Sequence, residues 1–318
     1  MAATQSSLLA FFVLLVFSLL SQSHGHGEAD RPEAFQFLRQ SEGCHKGDRV
    51  KGLNQVKRYL QRFGYLDHHN DDDDDFDHHL ESAIKTYQLN YNLKETGSLD
   101  VATVKQMMLP RCGVPDIIKG ETWMRSGKEK KEKRLLGVSG RKTTLGFSSH
   151  YTFFNNTPTP KWPPYKMHLK YVLDSTVPVD DLLMHPLCYV AFARWAAVSN
   201  FTFEETQDLS SADIRFSFFK GDHGDGNPFD GPGGVLAHAY APIDGRVHFD
   251  SEERWTTGIR ADWIDTASVA MHEIGHLLGL GHSSEHGAVM FPYIDVGSQK
   301  VNLHPDDIQG IQSLYGIH

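Results

Sequence analysis

The eleven residues His272-Glu273-Ile274-Gly275-His276-Leu277-Leu278-Gly279-Leu280-Gly281-His282 put three imidazoles and one carboxylate into a single short stretch. On a helix, positions i and i+4 share a face, so His272 and His276 can offer their rings to one metal ion. Glu273 lies one step round the helix, at the edge of that site, without ligating. Gly279 can take the left-handed backbone conformation that ends a helix, which lets the chain turn and bring His282 round as a third ligand. Three protein ligands leave zinc a fourth position for water, the open geometry of a catalytic centre. The bland alternative, a helix with satisfied histidines, leaves Gly279 and His282 as coincidences.

A thiol could close that fourth position. The chain has three cysteines, so at least one is unpaired or committed elsewhere. Cys112 is the candidate: Pro110-Arg111-Cys112-Gly113-Val114-Pro115-Asp116 is a tight segment whose prolines and glycine fix an extended, turning backbone with the thiol presented outward. A thiolate on the zinc excludes the water that catalysis needs. Cys44 and Cys188 can form a disulfide or stay reduced, and spacing does not choose between them.

With 318 residues, 40% hydrophobic content and a formal charge of −9, the chain has material for two modest domains and gives no reason to expect nucleic-acid binding. Leu8 to Leu20 is apolar except for Ser18 and gives way to small and polar residues by Gly25. That pattern reads as a secretory signal over residues 1–25, too short for a membrane span, so a secreted product without a transmembrane segment is expected. From Lys119 to Lys142 the chain is rich in Lys, Arg, Gly and Ser, including Lys128-Glu129-Lys130-Lys131-Glu132-Lys133-Arg134. It reads as an exposed linker open to a processing protease.

These features together resemble the matrixins, the matrix metalloproteinase branch of the metzincins, and more particularly their plant members. The resemblance rests on the three-histidine motif followed by Ser283, on the Pro-Arg-Cys-Gly-Val-Pro-Asp "cysteine switch", and on Ala288-Val289-Met290-Phe291-Pro292, which matches the methionine turn beneath the three histidines. It implies a signal (1–25), a helical propeptide ending in the switch (26–116), a basic activation linker (117–150) and a zinc peptidase domain (151–318). The implied fold is an α+β catalytic domain, a mixed five-stranded twisted sheet with three helices, preceded by an all-α three-helix propeptide similar to peptidoglycan-binding modules. A mature N-terminus near Tyr151 is implied, with Asp306 or Asp307 receiving the new ammonium group.

The hydropathy pattern agrees. Val50, Leu53, Val56, Leu60 and Phe63 repeat at helical spacing and stop at Gly64; Leu80, Ala83, Ile84 and Tyr87 make a second stripe; Ser98 is positioned to cap a third helix through Val101, Val104 and Met108. These stripes are expected to be core rather than ligand surface. His68-His69-Asn70 with Asp71 to Asp75 could hold a divalent ion, but a self-repelling acidic run usually forms a solvated loop. Strand patterns appear at 167–173, 201–204, 214–219, 235–240 and 246–250, with a helix over about 179–198, which predicts a crossover and a mainly parallel sheet. Asp265 or Thr266 should cap the zinc helix. Asn155 and Asn200 head glycosylation sequons.

Carried over residue by residue, the resemblance gives a second, structural zinc to His223, Asp225, His238 and His248, and a calcium ion to Asp230, Gly231, Gly233, Val235, Asp250 and Glu253. Plain chemistry supports this, since a Gly-rich loop with so little core needs ions to hold it. A second calcium is not expected, because Arg246 stands where the family has an aspartate that would share that ion with Asp213. Pro292-Tyr293-Ile294 departs from the usual Pro-x-Tyr, and Ser268 stands where the depth of the P1′ pocket is often set. The implied activity is metal-assisted hydrolysis of internal peptide bonds in extracellular or cell-wall proteins. Glu273 is the general base, and a monomer binds its substrate as an added strand on 235–240. The rival expectation is a secreted, non-catalytic binding module that keeps its metals for structure.

Overall fold

The structure, a computed structural model, describes residues 34–67, 73–118, 121–122 (backbone), 151–154, 159–174, 176 and 184–317. The N-terminal apolar stretch, Asn155 and most of the basic linker lie outside the described residues.

The apolar stripes become helices α1 (Leu53–Arg62), α2 (His78–Asn90) and α3 (Val101–Met107). Leu53, Val56, Leu60, Leu80, Ile84 and Tyr87 are buried together, so the stripes are core. Helix α3 starts later than Ser98 predicts. Its cap is Asp100, whose Oδ1 accepts from Thr103 N at 2.9 Å, while the carbonyl of Ser98 accepts from Gln88 Nε2 at 3.0 Å. Val101 therefore points outward at 64% exposure, and Val104 and Met107 carry the buried face. Residues 68–72 of the acidic run lie outside the described residues, but the rest of the run is built in. The Asp74 carboxylate accepts from Gly52 N and Asn54 N at 3.0 and 3.2 Å, a non-local cap for α1, which has no side-chain cap of its own. Asp73 pairs with buried Lys57 and Asp75 with Arg49.

The catalytic half is a twisted sheet packed by three helices. Strands β4 (His168–Leu173), β5 (Thr202–Glu205), β6 (Ile214–Phe219), β7 (Val235–Ala239) and β8 (Arg246–Asp250) order as β7-β8-β6-β4-β5. Helix α4 (Met184–Ala196) lies between β4 and β5 in the chain, and β5, β4, β6 and β8 run parallel. β7 alone is antiparallel to its neighbour. The switch segment supplies a sixth strand, β1 (Arg111–Cys112), parallel to the outer edge of β7. Short pairs β2 (Ile117–Ile118) with β3 (Glu121–Thr122), and β9 (Trp255–Thr256) with β10 (Ile264–Asp265), complete the strands among the described residues.

Helix α5 (Thr266–Leu277) is buried along its whole length. Asp265 caps it, accepting from Ser268 N at 3.0 Å, and two indoles tie it to its surroundings: Trp195 Nε1 donates to Met271 O at 3.0 Å and Trp162 Nε1 to Leu277 O at 2.8 Å. Gly275 permits a close approach from below, since an added Cβ would lie 2.2 Å from Met290 Sδ. The turn that carries Met290 is held in turn by α6 (Pro305–Tyr315). Asp307 accepts from Val289 N at 2.9 Å, Met290 N at 3.0 Å and its own cap residue His304 N at 2.8 Å. Asp307→Ala strands the two buried N–H groups of Val289 and Met290 at about 1–3 kcal/mol each and frees the part-buried one of His304 to water. The chain should therefore lose at least about 2 kcal/mol in denaturant unfolding, and a loss within experimental error would mean the turn is held by other contacts.

Candidate metal centres and active site

His272 and His276 project from one face of α5, and Gly279, at φ +100°, turns the chain as its position in the motif requires. His282 thereby reaches the same point: Cys112, His272, His276 and His282 each offer one ligand atom, all within 4.8 Å of one another and all buried. Cys112 Sγ is 3.5 Å from His276 Nε2. The ring nitrogens facing away are satisfied, with His272 Nδ1 on Val289 O at 2.7 Å and His276 Nδ1 on Leu280 O at 2.8 Å. The Nε2 atoms of His272 and His282 are buried without a hydrogen-bond partner. Buried polar atoms are rarely left so, and three convergent imidazoles with a thiol are the donor set zinc takes. The residues therefore fit a zinc ion. Burial, followed by the neighbouring imidazoles, holds His272 and His276 well below the usual histidine range, so both are neutral and able to ligate.

Glu273 is fully buried beside this cluster with the Cys112 thiol against its carboxyl, and burial pushes that carboxyl up to about 8 although the thiol contact opposes the rise. A group that exchanges a proton near neutral pH suits acid–base work. The Cys112 thiol is pushed up by burial and then by the adjacent Glu273 carboxylate.

The switch segment occupies a groove with two polar walls. On one side Arg111 N donates to Gly234 O at 2.9 Å and Gly113 N to Ala237 O at 2.8 Å; on the other, Cys112 N donates to Pro292 O at 2.9 Å and Ile294 N to Pro110 O at 3.0 Å. Gly113 lies against β7 so closely that a Cβ would sit 2.7 Å from Val235 Cγ1. Tyr293, where the sequence departs from the family pattern, turns into the propeptide, its hydroxyl 2.9 Å from that of Tyr59 and 2.6 Å from that of Tyr87. Ser268 does not stand open. Its hydroxyl donates to Asp265 at 2.6 Å and accepts from Lys300 N at 2.6 Å, pinning the 298–300 loop to the start of α5.

The second predicted cluster also converges. Asp225 Oδ2 lies 2.8 Å from His223 Nε2, 2.8 Å from His238 Nε2 and 2.9 Å from His248 Nδ1, and the four ligand atoms group within 4.8 Å. His223 Nε2 and His248 Nδ1 approach to 3.2 Å. Tyr240, absent from the sequence reading, donates its hydroxyl to the same oxygen at 2.7 Å. Four closed protein donors suit a structural zinc.

Asp230, Asp250 and Glu253 form an acidic cluster. Burial, followed for Asp250 and Glu253 by the neighbouring acids, raises Asp250 to about 6 and Glu253 to about 8, and burial also raises Asp230. Asp250 Oδ2 is buried without a partner. A hard cation relieves such a cluster, and Gly231 and Gly233, both at positive φ, bend the loop around it. Asp213 is engaged by Lys166 Nζ at 2.8 Å and Arg246 Nε by Asp244 at 2.7 Å. Asn200 is exposed. Cys44, Cys112 and Cys188 are all buried and none is in a disulfide.

Comparison with known proteins gives the same picture. The family model for matrixin matches residues 161–316, and one for a peptidoglycan binding domain matches residues 49–107. Metalloendoproteinase 1 of Glycine max is 43% identical over 320 residues, 98% of this chain and 96% of that protein. Metalloendoproteinase 2-MMP of Arabidopsis thaliana is 41% identical over 285 residues, 87% of this chain and 74% of its own. Interstitial collagenase of Sus scrofa is 36% identical over 274 residues, 82% of this chain and 49% of its own. With its zinc-fitting histidines, its buried carboxylate and its likeness running nearly end to end, this chain belongs to the matrixin family of zinc metalloendopeptidases.

Proposed function

We propose that the chain is a secreted zymogen in which Cys112 occupies the fourth position of the catalytic zinc held by His272, His276 and His282. The observation that carries this reading is the convergence of Cys112 with the three histidines at the end of a segment lying along the cleft. The proposed organisation is a signal over 1–25, a propeptide over 26–116, an activation linker over 117–150 cut by another protease, and a catalytic domain over 151–318. Asp306 or Asp307 receives a new N-terminus near Tyr151; Asp307 already accepts three backbone N–H groups and Asp306 the Ser283 hydroxyl at 2.7 Å.

Zinc, when bound, supplies Lewis acidity to a carbonyl and to water. The chain does the rest. Once the switch segment leaves, the outer edge of β7 and the 292–294 segment present the backbone groups that held residues 110–113, and an extended peptide of a matrix or cell-wall protein can pair with them. Glu273 takes a proton from the attacking water as the carbon–oxygen bond forms and passes it to the amine as the carbon–nitrogen bond breaks. His223, Asp225, His238 and His248 hold a structural zinc. Asp230, Asp250 and Glu253, with the carbonyls of Gly231, Gly233 and Val235, hold a calcium.

Glu273→Gln should keep the catalytic zinc while the activated enzyme loses about 10²–10⁴-fold in casein hydrolysis; full activity in that variant would exclude Glu273 as the base. Metal analysis of the wild-type proprotein should give two zinc ions and one calcium per chain. His238→Ala should remove one zinc and Asp250→Asn the calcium, and unchanged stoichiometry in either variant would remove that site from the account.

A further inference from the structure

The three histidines differ in what stands behind them. His272 and His276 donate their Nδ1 protons to backbone carbonyls of the catalytic domain itself, Val289 O and Leu280 O. His282 instead donates to a carboxylate, Asp116 Oδ1, at 2.8 Å, with both side chains at 0% exposure. Asp116 belongs to the switch segment, on the far side of the activation linker. It is held rigidly: Arg111 grips it with Nη2 on Oδ1 at 2.8 Å and Nη1 on Oδ2 at 3.1 Å, and the hydroxyls of Tyr65 and Tyr91 donate to Oδ2 at 2.8 and 2.7 Å. The opposite nitrogen of the same ring, His282 Nε2, is one of the buried atoms without a partner, as a ligand aimed at a metal must be.

We propose that Asp116 is a positioning residue for His282, so that the propeptide grips the metal centre from two sides. Cys112 stands in front of the metal, and Asp116 stands behind its third ligand. A carboxylate behind a ligating imidazole fixes its tautomer and orientation and raises its basicity, and losing such a partner typically costs about 10–100-fold in metal affinity. Activation then does more than vacate a coordination position. It also takes the one charged acceptor that the described residues offer the three imidazoles, leaving His282 more weakly bound and the metal less neutralised when substrate must be polarised. The asymmetry is built into the chain, because the two carbonyl acceptors remain after cleavage and the carboxylate does not. This inference rests on the zymogen reading, and the two are tested separately.

Full-length proprotein loaded with cobalt tests the thiolate by its sulfur-to-metal charge-transfer band; absence of a band that Cys112→Ser abolishes would overturn the switch and leave the Asp116 arms to be judged alone. For Asp116, zinc transfer to a chromogenic chelator is timed in Cys112→Ser proprotein and in Cys112→Ser/Asp116→Asn proprotein, so that sulfur contributes to neither. Release about 10–100-fold faster from the double variant is expected, and equal rates overturn the proposal. Asp116→Asn leaves Arg111 without its partner and could unfold the propeptide, so a second measurement leaves position 116 intact. Zinc-loaded proprotein with nitrogen-15 histidine, either wild type or Cys112→Ser, should show one solvent-protected imidazole N–H proton that vanishes when the propeptide is removed. If the set of protected imidazole protons is the same before and after activation, Asp116 does not act on His282.

Discussion

Three imidazoles must be kept neutral and aimed at one point inside a dry core, and most of this fold follows from that constraint. Each ring buries two nitrogens, and a buried polar atom without a partner costs about 1–3 kcal/mol. One nitrogen can be satisfied by a metal, so the other needs an acceptor in the right place. The acceptor for His276 is local, the carbonyl of Leu280 just past the helix end. The acceptor for His272 is not, and supplying it recruits a whole chain of supports. Val289 O is positioned because Asp307 holds the backbone of the methionine turn, and Asp307 is fixed because it closes the capping box of α6. Gly275 lets that turn rise against α5 without a side chain in the way.

The acceptor for His282 is Asp116, from the N-terminal half of the chain, and the two halves share a core. Phe229, Val235, Phe291 and Tyr293 of the catalytic half pack with the propeptide's α1–α3 core. At its centre lies the Arg111–Asp116 pair, with neither side chain exposed. A buried ion pair repays its desolvation only if the remaining donors and acceptors are also met. Here Tyr65 and Tyr91 serve the carboxylate, while the rings of Phe63 and Tyr293 lie 3.5 and 4.9 Å from the guanidinium carbon. Despite burial, which opposes it, Arg111 and His282 hold the Asp116 carboxyl well below the usual carboxylate range. Arg111 and Asp116 are thus structural members of a joint core, tied to Tyr65 and Tyr91 on one side and Tyr293 on the other.

Much of this was legible in the sequence because it is local. The i, i+4 histidines, the glycine that ends the helix, the Asp265 cap and the strand alternations are all set by spacing within a few residues. Where two caps compete the pattern is weaker: Ser98 and Asp100 are both good N-cap residues, and burial of Val104 and Met107 selects the later one. An acidic run by itself predicts self-repulsion, yet Asp73, Asp74 and Asp75 find Lys57, the amides at the start of α1, and Arg49. Only the tertiary fold brings those positive groups near. Asp116 on His282, Tyr293 among the propeptide tyrosines and Asp307 beneath the methionine turn left no local signal either, because their partners lie far away along the chain. The sequence offers Asp306 and Asp307 alike for a new N-terminus, and it does not reveal that Asp307 accepts three backbone N–H groups.

Strand β7 shows how sites far apart in sequence come to act together. Its residues serve three structures at once. Val235 N is held by Asp230 of the acidic cluster at 2.8 Å, His238 belongs to the second histidine cluster and pairs across the sheet with His248, and the Ala237 carbonyl accepts from Gly113 N. The outer side of β7 is paired with β1; without that short strand β7 would be an edge, with a row of unpaired N–H and C=O groups to hold in register. A one-residue slip would turn every side chain to the wrong face. Ions at the acidic cluster and at Asp225 would pin the strand at both ends without adding apolar bulk to a glycine-rich loop. Metals at these two clusters would therefore bear on chemistry at Glu273 through geometry alone, by holding β7 at the height the three histidines require.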